Sequence, residues 1–197
     1  MLLTTSNELY YWGINQGIQK LDLSISKLYG DYMITTEGDL YEWKENLLKI
    51  ELFDVQKVVY SDHHAIALTN QNELYAWGAN KYGQLGIGGW NDSHEPQKVK
   101  NLSNIRKVYT TKRSSFAITH NNELYSWGSS DHRKLGHGKY NDILPTPYKV
   151  WLKNIKDFLY VSDNIVILVT WLGEVYYSGH SYPLDSNYLR KLYFAKI

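Results

Sequence analysis

The chain has 197 residues, of which 43% are hydrophobic and 21% charged, a composition typical of a folded globular protein rather than a disordered one. Its formal net charge of +1 excludes a strong overall attraction to DNA, RNA or an anionic membrane, so no nucleic-acid partner is expected. The absence of cysteine excludes disulfides, thiolate catalysis and cysteine-ligated zinc.

Membrane and export signals are not predicted either. The N-terminus turns polar after two leucines, and no later stretch approaches the roughly 18 apolar residues of a membrane span. A cytoplasmic protein without a signal peptide or transmembrane segment is therefore expected, with delivery into a host cell as an effector as the alternative.

A recurring acidic-aliphatic-Tyr-x-Trp-Gly sequence divides the chain into repeats. The copies, of which the last is eroded, span residues 8–13, 39–44, 73–78, 123–128 and 174–179. The positions of Trp12, Trp43, Trp77, Trp127 and Ser178 are 31, 34, 50 and 51 residues apart. The array thus has two short and two full-length periods.

Each full period carries signals for short β-strands. Residues 65–69 run into the polar turn 70–72 and out along 73–77, which predicts a hairpin, and residues 116–127 repeat it. A further β-run precedes each hairpin and a proline-marked one follows it. About four strands per period are the content of one propeller blade, whereas helix signals are weak throughout.

The residues after the Trp-Gly pair separate the propeller families. Kelch repeats carry a Gly-Gly doublet in every copy, which occurs here only at Gly88-Gly89, and WD repeats end in a Trp-Asp pair that never appears. Residues 78–88, GANKYGQLGIG, followed by Pro96 and Val99, resemble the repeat of the regulator of chromosome condensation (RCC1) family. The resemblance covers essentially the whole chain and is strongest over residues 55–150.

The resemblance implies an all-β fold, a small β-propeller of about five blades, some of them shortened. We expect one repeat domain over residues 1–197, with degenerate repeats at 1–54 and 151–197. Residues 189–194 read like the first strand of a repeat and residues 2–5 like the second, so the C-terminal strand is predicted to join the N-terminal blade and close the ring. The alternative is an open arc or a fragment of the seven-bladed disc usual in the family. A monomer is expected rather than a homo-oligomer.

Repeated tryptophans and glycines are interpreted as structural anchors. A large aromatic side chain at a fixed place in a repeat fills the space between packed sheets, and glycine allows tight turns and close approach. The predicted anchors are Trp12, Trp43, Trp77, Trp127, Gly83, Gly86, Gly88, Gly136 and Gly138.

Signals for a self-contained enzyme are missing. No histidine pair has the spacing of a zinc protease, and neither a nucleophile elbow nor a phosphate-binding loop occurs in the sequence. We therefore expect no catalytic residue, no metal and no cofactor.

Partner-binding residues are assigned by resemblance to the loop between the first and second strands of each blade. In family members that act on the small GTPase Ran, acidic and histidine residues of this loop face the GTPase. Aligned on the following Thr, His64 matches the family histidine, and Ser115 and Ile165 are taken as its counterparts. The assigned residues are Asp62, His63, His64, Lys112, Arg113, Asp163 and Asn164.

The resemblance implies a protein-binding propeller that engages a Ras-superfamily small GTPase of the Ran type, with guanine-nucleotide exchange as the reaction it would promote. The alternatives are a protein-interaction scaffold without an effect on nucleotides and a chromatin-binding propeller. The chain has no inserted hairpin comparable to the wedge of the Ran exchange factor, and its near-neutral charge counts against chromatin.

Overall fold

The computed structural model describes residues 1–13, 16–130, 134–137, 143–162, 165–179 and 189–192. Regular structure within these ranges consists of eighteen β-strands, all in antiparallel sheets. In the same ranges, no helix has the length and apolar character needed to cross a membrane.

The first sheet contains six strands in sequential order and two blade-like groups. Its strands are β1 (Leu2–Leu3), β2 (Glu8–Gly13), β3 (Gln16–Tyr29), β4 (Tyr32–Thr35), β5 (Leu40–Trp43) and β6 (Leu47–Ile50). The first part of β3 pairs with β2 as far as Glu8↔Ser24, and the second part pairs with β4 from Ile25↔Thr35 onward. We call residues 2–24 blade 1, which has three strands, and residues 25–50 blade 2, which has four.

The three later sheets each contain four strands. Blade 3 (residues 55–98) comprises β7 (Val55–Tyr60), β8 (His64–Thr69), β9 (Leu74–Gly78) and β10 (Ser93–Lys98). Blade 4 (105–149) comprises β11 (Ile105–Thr110), β12 (Ser114–Thr119), β13 (Leu124–Ser129) and β14 (Ile143–Lys149). Blade 5 (155–192) comprises β15 (Ile155–Ser162), β16 (Ile165–Thr170), β17 (Val175–Gly179) and β18 (Arg190–Leu192).

The predicted all-β array of about five blades, some shortened, is confirmed. Blade 2 keeps its fourth strand and loses only the long loop, because residues 44–46 join β5 to β6 whereas residues 79–92 join β9 to β10. Blade 1 is shortened differently, since β3 continues into blade 2 without a connecting loop.

The predicted role of the C-terminal strand was wrong for the residues that the structure describes. Arg190–Leu192 pair with β17, with Val175 opposite Leu192, and form the outer strand of blade 5 rather than a first strand. The prediction relied on the similar Arg-Lys-aliphatic order at Arg106–Val108, but such a local pattern does not determine which strand the segment pairs with.

An ion pair between the acidic residue at the start of the penultimate strand of the blade and a lysine of the outer strand recurs in all five blades. This ion pair accounts for the acidic residue of the repeat. Its lysine lies on the outer strand in every blade, and Lys191 occupies that place in blade 5. Each pair is exposed to solvent, which screens the attraction, so each adds little to the stability of the fold. The pairs are Glu8–Lys20, Asp39–Lys49 (2.7 Å), Glu73–Lys98 (2.6 Å), Glu123–Lys149 (2.6 Å) and Glu174–Lys191 (2.5 Å).

Consecutive blades are joined by a recurring backbone hydrogen bond. The first residue of each new inner strand donates its N–H to the last residue of the preceding hairpin turn, as Ile105 does to Asn72 (3.1 Å) and Ile155 to Asn122 (3.0 Å). Asn72 and Asn122 both have φ of 60°, a left-handed conformation that asparagine tolerates better than most residues. This requirement explains the asparagines of the polar turns.

The chain divides into two compact units, one of residues 1–58 with 69–71 and the other of residues 59–68 with 72–197. The core of the first unit is formed by Leu9, Ile25 and Met33. The second unit has two buried clusters: one takes side chains from blades 3 and 4, and the other takes side chains from blades 4 and 5. A single repeat domain over residues 1–197 stays a prediction.

Candidate functional site

The loop between the first and second strands of blades 3 and 4 displays charged side chains. Asp62 and His63 are exposed between β7 and β8, and Lys112 is exposed between β11 and β12. Arg113 in the second loop is half-buried. The corresponding residues of blade 5, Asp163 and Asn164, lie outside the described residues.

Both loops are closed by the same turn. The N–H of Ser61 donates to the carbonyl of His64 (2.9 Å), and the N–H of Thr111 donates to that of Ser114 (2.8 Å). The structure therefore holds the two loops in the same backbone conformation while their side chains differ in charge.

The glycine of each Trp-Gly pair supports the loop of its own blade. A methyl group on Gly78 would lie 2.6 Å from the carbonyl oxygen of His63, and one on Gly128 would lie 2.5 Å from that of Arg113. Neither position has space for a Cβ, which explains the glycine directly after tryptophan in blades 3 and 4, whereas blade 2 has Lys44 at this place. Sequence reasoning assigned this role to neither residue, although the invariable Trp-Gly order in the complete copies was a usable signal.

The strand register corrects one sequence alignment. His64 lies opposite Gly78 in blade 3, Ser114 opposite Gly128 in blade 4 and Ile165 opposite Gly179 in blade 5. Ser114, and not Ser115, is therefore the counterpart of His64. By the same register Lys112 corresponds to Asp62 and Arg113 to His63, so a basic loop stands beside a loop with a carboxylate.

His64 belongs to the frame of the site, because only 3% of its surface is exposed. Its Nδ1 lies 3.0 Å from the Ser61 hydroxyl and its Nε2 lies 2.9 Å from the Ser115 hydroxyl. The Ser115 hydroxyl already donates to the carbonyl of Gln84 (2.8 Å), so it accepts from His64, which places the imidazole proton on Nε2. Burial, with a smaller contribution from His63, lowers the pKa of His64 to about 3, so the ring is neutral at physiological pH.

Gln84 links blade 3 to blade 4 through hydrogen bonds. Its backbone carbonyl accepts from the Ser115 hydroxyl and from Nε1 of Trp127 (2.9 Å), both of blade 4, while Gln84 itself belongs to the long loop of blade 3. The side-chain oxygen of Gln84 accepts the N–H of Tyr82 (2.9 Å). The Gly-Gln-Leu-Gly sequence therefore positions a backbone carbonyl, not a ligand-binding group.

Arg113 is held in place by an aromatic ring from the neighbouring blade. Its guanidinium carbon lies 4.5 Å from the centre of the Tyr82 ring, which favours the cation electrostatically. Tyr82 and Gln84 belong to the same loop of blade 3. This loop contacts Arg113 and Trp127 directly, and it is linked to His64 through Ser115.

The predicted anchors divide into buried and exposed residues. Trp127 is fully buried and Trp77 nearly so, whereas Trp43 is half-buried against Tyr11 and Trp12 is 54% exposed. A methyl group on Gly83 would lie 2.7 Å from Cα of Pro145, and one on Gly86 would lie 2.7 Å from Nε1 of Trp127. Gly88 is exposed, Gly136 is buried near Leu189, and Gly138 lies outside the described residues.

No candidate metal site occurs among the described residues, where no three His, Asp or Glu side chains come together in a way that could hold an ion. What the site offers is a rigid frame carrying two short charged loops. Such an arrangement can recognise a partner, since variable side chains on a fixed scaffold set which charges it complements.

Comparison with known proteins supports this architecture. Two family models of the regulator of chromosome condensation (RCC1) repeat match the chain, over residues 71–118 and residues 55–84. Prp20p from Saccharomyces cerevisiae superposes with a TM-score of 0.76 at 20% identity, and the match covers 98% of this chain and 60% of Prp20p. At that identity the likeness shows the fold alone.

Two curated proteins share shorter segments. The ultraviolet-B receptor UVR8 of Arabidopsis thaliana is 37% identical over 51 residues, which are 26% of this chain and 12% of the receptor. The serine/threonine-protein kinase Nek9 of Xenopus laevis is 27% identical over 145 residues, a match that covers 50% of this chain and 15% of the kinase. This chain therefore corresponds to a small part of each of these relatives. The repeat models and the shared fold together identify it as a β-propeller of the RCC1 repeat type.

Proposed function

We propose that this propeller is a protein-binding module that engages a Ras-superfamily small GTPase through the first loops of blades 3 and 4. The observation that carries the proposal is the placement of exposed Asp62, His63 and Lys112, with Arg113, on equivalent turns of two blades. The fold of Prp20p, described with its binding properties to Gsp1p and histones, supports a protein partner.

The two loops are suited to recognition because folding has already ordered their backbone, so binding a partner loses little backbone entropy. The His64–Ser115–Gln84 hydrogen bonds and the Tyr82 ring fix the bases of both loops, so little backbone freedom remains to be lost on binding. His64 supports the surface from beneath and does not form part of the contact, since its ring is buried and both its nitrogens are engaged.

Guanine-nucleotide exchange is the finer form of the proposal. The Asp62 carboxylate and the basic Lys112 and Arg113 would contact the switch regions and phosphate-binding loop of the GTPase. They would lower nucleotide affinity only by binding the nucleotide-free GTPase more tightly than the loaded form. The reaction therefore needs no covalent chemistry in the propeller.

Binding is tested with purified GTPases in nucleotide-free, GDP-bound and GTP-analogue-bound forms, measured by biolayer interferometry. The variant Asp62→Ala/Lys112→Ala should weaken binding by about tenfold or more, because it removes one acidic and one basic contact group. Glu95→Ala/Lys100→Ala is the matched control: it also removes one exposed acid and one exposed lysine, on the outer strand of blade 3 and the connection that follows it, and should bind normally.

Exchange is tested separately by the release of a fluorescent guanine nucleotide. Accelerated release that the loop variant abolishes would support the exchange form, and binding without acceleration would leave the module as a GTPase-binding scaffold. Absence of binding across a panel spanning the Ras superfamily, with the protein folded, would reject the proposal as a whole.

A further inference from the structure

A second surface with basic and aromatic character lies at the other end of blades 4 and 5. It is formed by the connection from β14 to β15 and the turn from β16 to β17, whereas the GTPase-directed loops connect β7 to β8 and β11 to β12 at the opposite end of the blades. We call it the basic-aromatic patch. Its residues are Arg106, Trp151, Lys153, Lys156, Trp171 and Leu172.

The turn of blade 5 is apolar where its counterparts are polar. Blades 3 and 4 have Asn70-Gln71-Asn72 and His120-Asn121-Asn122, whereas blade 5 has Trp171-Leu172-Gly173. All three turns make the same backbone bond, as Trp171 does to the Asn154 carbonyl (2.9 Å). The turn geometry therefore does not require Trp171 or Leu172, which are 56% and 78% exposed.

Positive charge surrounds the Trp171 indole. The Lys156 ammonium lies 5.3 Å and the Arg106 guanidinium carbon 6.0 Å from the ring, and the indole Nε1 donates to the side chain of Asn122 (3.0 Å). The ring is thereby held in one position with part of its surface open to solvent.

The carboxylate next to Lys156 in sequence does not neutralise this charge. Asp157 accepts from Lys107 (2.8 Å) and from the Tyr109 hydroxyl (2.5 Å). Burial alone would raise the pKa of Asp157, but these hydrogen bonds lower it to about 2. Its charge is thus committed to Lys107, and Lys153 and Lys156 face solvent without a salt bridge to any described residue.

An open cavity of about 400 Å³ continues the patch beside Trp151. Tyr148, Val150 and Trp151 give it apolar walls, and His137, Lys149 and Lys153 add basic groups; none of the lining residues that the structure describes is acidic. Lys149 is already paired with Glu123, so Lys153 is the charge that the cavity offers a ligand. A cavity of this size can accept an aromatic or aliphatic side chain.

We propose that the basic-aromatic patch binds an acidic peptide segment of a partner protein that carries an apolar anchor residue. Carboxylates of the segment pair with Lys153 and Lys156, and the anchor packs on Leu172 and in the cavity beside Trp151. Exposed indoles can also stack on bases, but two lysines give few phosphate contacts, so nucleic acid fits less well.

The probe is a fluorescein-labelled synthetic peptide in which glutamates alternate with leucine and phenylalanine, and binding is read by fluorescence anisotropy. Lys153→Glu/Lys156→Glu should weaken binding by about tenfold or more, because like charges then face each other. Leu172→Asn restores the residue found in the turn of blade 4 and should weaken binding by about threefold to tenfold. Lys112→Glu, at the GTPase-directed end, is the control and should leave peptide affinity within about twofold, since it lies outside the patch.

Two further probes test whether the patch recognises carboxylates or nucleic acid. They are the same peptide with glutamine in place of glutamate, and a labelled oligothymidylate. Loss of binding with the glutamine peptide, together with no binding of the oligonucleotide, supports the proposal. Equal binding of the glutamine peptide, preferential binding of the oligonucleotide, or unchanged affinity in the lysine variant overturns it. The outcome is independent of the GTPase assay, because each surface has its own variants and each serves as the control for the other.

Discussion

The Nε2 of His64 lies 2.9 Å from the hydroxyl of Ser115, and this buried contact joins the second strand of blade 3 to that of blade 4. The same hydroxyl donates to the Gln84 carbonyl, which also accepts from Trp127. The hydrogen bonds of three repeat positions thus meet at one place directly beneath the charged loops. Stability of the frame and geometry of the proposed partner surface therefore depend on the same few atoms.

Replacing Ser115 with alanine should destabilise the protein by about 1–3 kcal/mol, because the buried Nε2–H of His64 would lose its acceptor. The measurement is urea unfolding followed by circular dichroism. Ser103→Ala, at an exposed position in the connection between blades 3 and 4, is the matched control and should change the midpoint little. Equal midpoints for the two variants would show that the imidazole finds another partner.

Stability should fall on the acid side because of His64. Its pKa is depressed in the folded protein, so the unfolded chain binds a proton below about pH 6.5 that the folded chain rejects. The contribution is present above that pH and is lost as the pH falls towards the folded pKa of about 3, at up to about 1.4 kcal/mol per pH unit. Thermal unfolding between about pH 7 and pH 5 measures this slope.

The variant His64→Gln isolates the effect, since glutamine can donate and accept in place of the imidazole but does not titrate in this range. It should show a flatter acid-side slope than the wild type, whatever its stability at neutral pH. His120→Gln, an exposed position in a hairpin turn, should keep the wild-type slope. An identical slope in His64→Gln would mean that other groups cause the acid sensitivity.

The order and type of the strands could be read from the sequence because they depend on local patterns. The acidic residue, the alternating apolar residues and the polar turn recur at fixed spacing, and each corresponds to a repeated contact in the structure. The position of β18 could not be read in this way. Its Arg-Lys-Leu sequence fits either a first or a fourth strand, and the backbone pairing with β17, which brings Lys191 to Glu174, is a tertiary contact that no local pattern contains.

The location of the candidate site could be predicted from the sequence, but the role of each of its residues could not. His63 and His64 are adjacent and chemically identical in the sequence, yet one is exposed and the other buried, because His63 belongs to the loop whereas His64 begins β8, in which every residue is buried. The sequence alignment matched Ser115 instead of Ser114 to His64. Such a shift of one residue exchanges the two faces of a strand, and only the pairing with Gly128 reveals it. The imidazole bonds to residues 61 and 115, and the hydroxyl of residue 115 bonds in turn to the carbonyl of residue 84, a combination that no local pattern contains.

Adding a methyl group at Gly83 should be costly. Gly83 has φ of 69°, and its new Cβ would lie 2.7 Å from Cα of Pro145 in blade 4. Because backbone must move and the left-handed conformation is strained, Gly83→Ala should lose about 2 kcal/mol or more of unfolding free energy. The chain supplies its own control in Gly89→Ala, where nothing lies within 4 Å and the effect on the urea midpoint should be small.

Two tryptophans at equivalent repeat positions should respond very differently to truncation. Trp127 is fully buried and donates from Nε1 to the Gln84 carbonyl (2.9 Å), so Trp127→Ala should cost about 3–5 kcal/mol through the cavity it leaves. Trp127→Phe keeps most of the packing but removes the donor, and should cost about 1–3 kcal/mol. Trp12 is 54% exposed, so Trp12→Ala should remain within about 1 kcal/mol of the wild type.

Urea unfolding of the three variants, monitored by circular dichroism, distinguishes burial from the repeat motif as the cause. If Trp12→Ala were as destabilising as Trp127→Ala, the shared motif rather than the observed burial would determine the contribution of each tryptophan. The expected ranking has a physical reason. Trp127 fills the space between blades 3 and 4 that the long loop of blade 3 encloses, and the sequence after Trp12 has no such loop, since β2 is followed almost directly by β3.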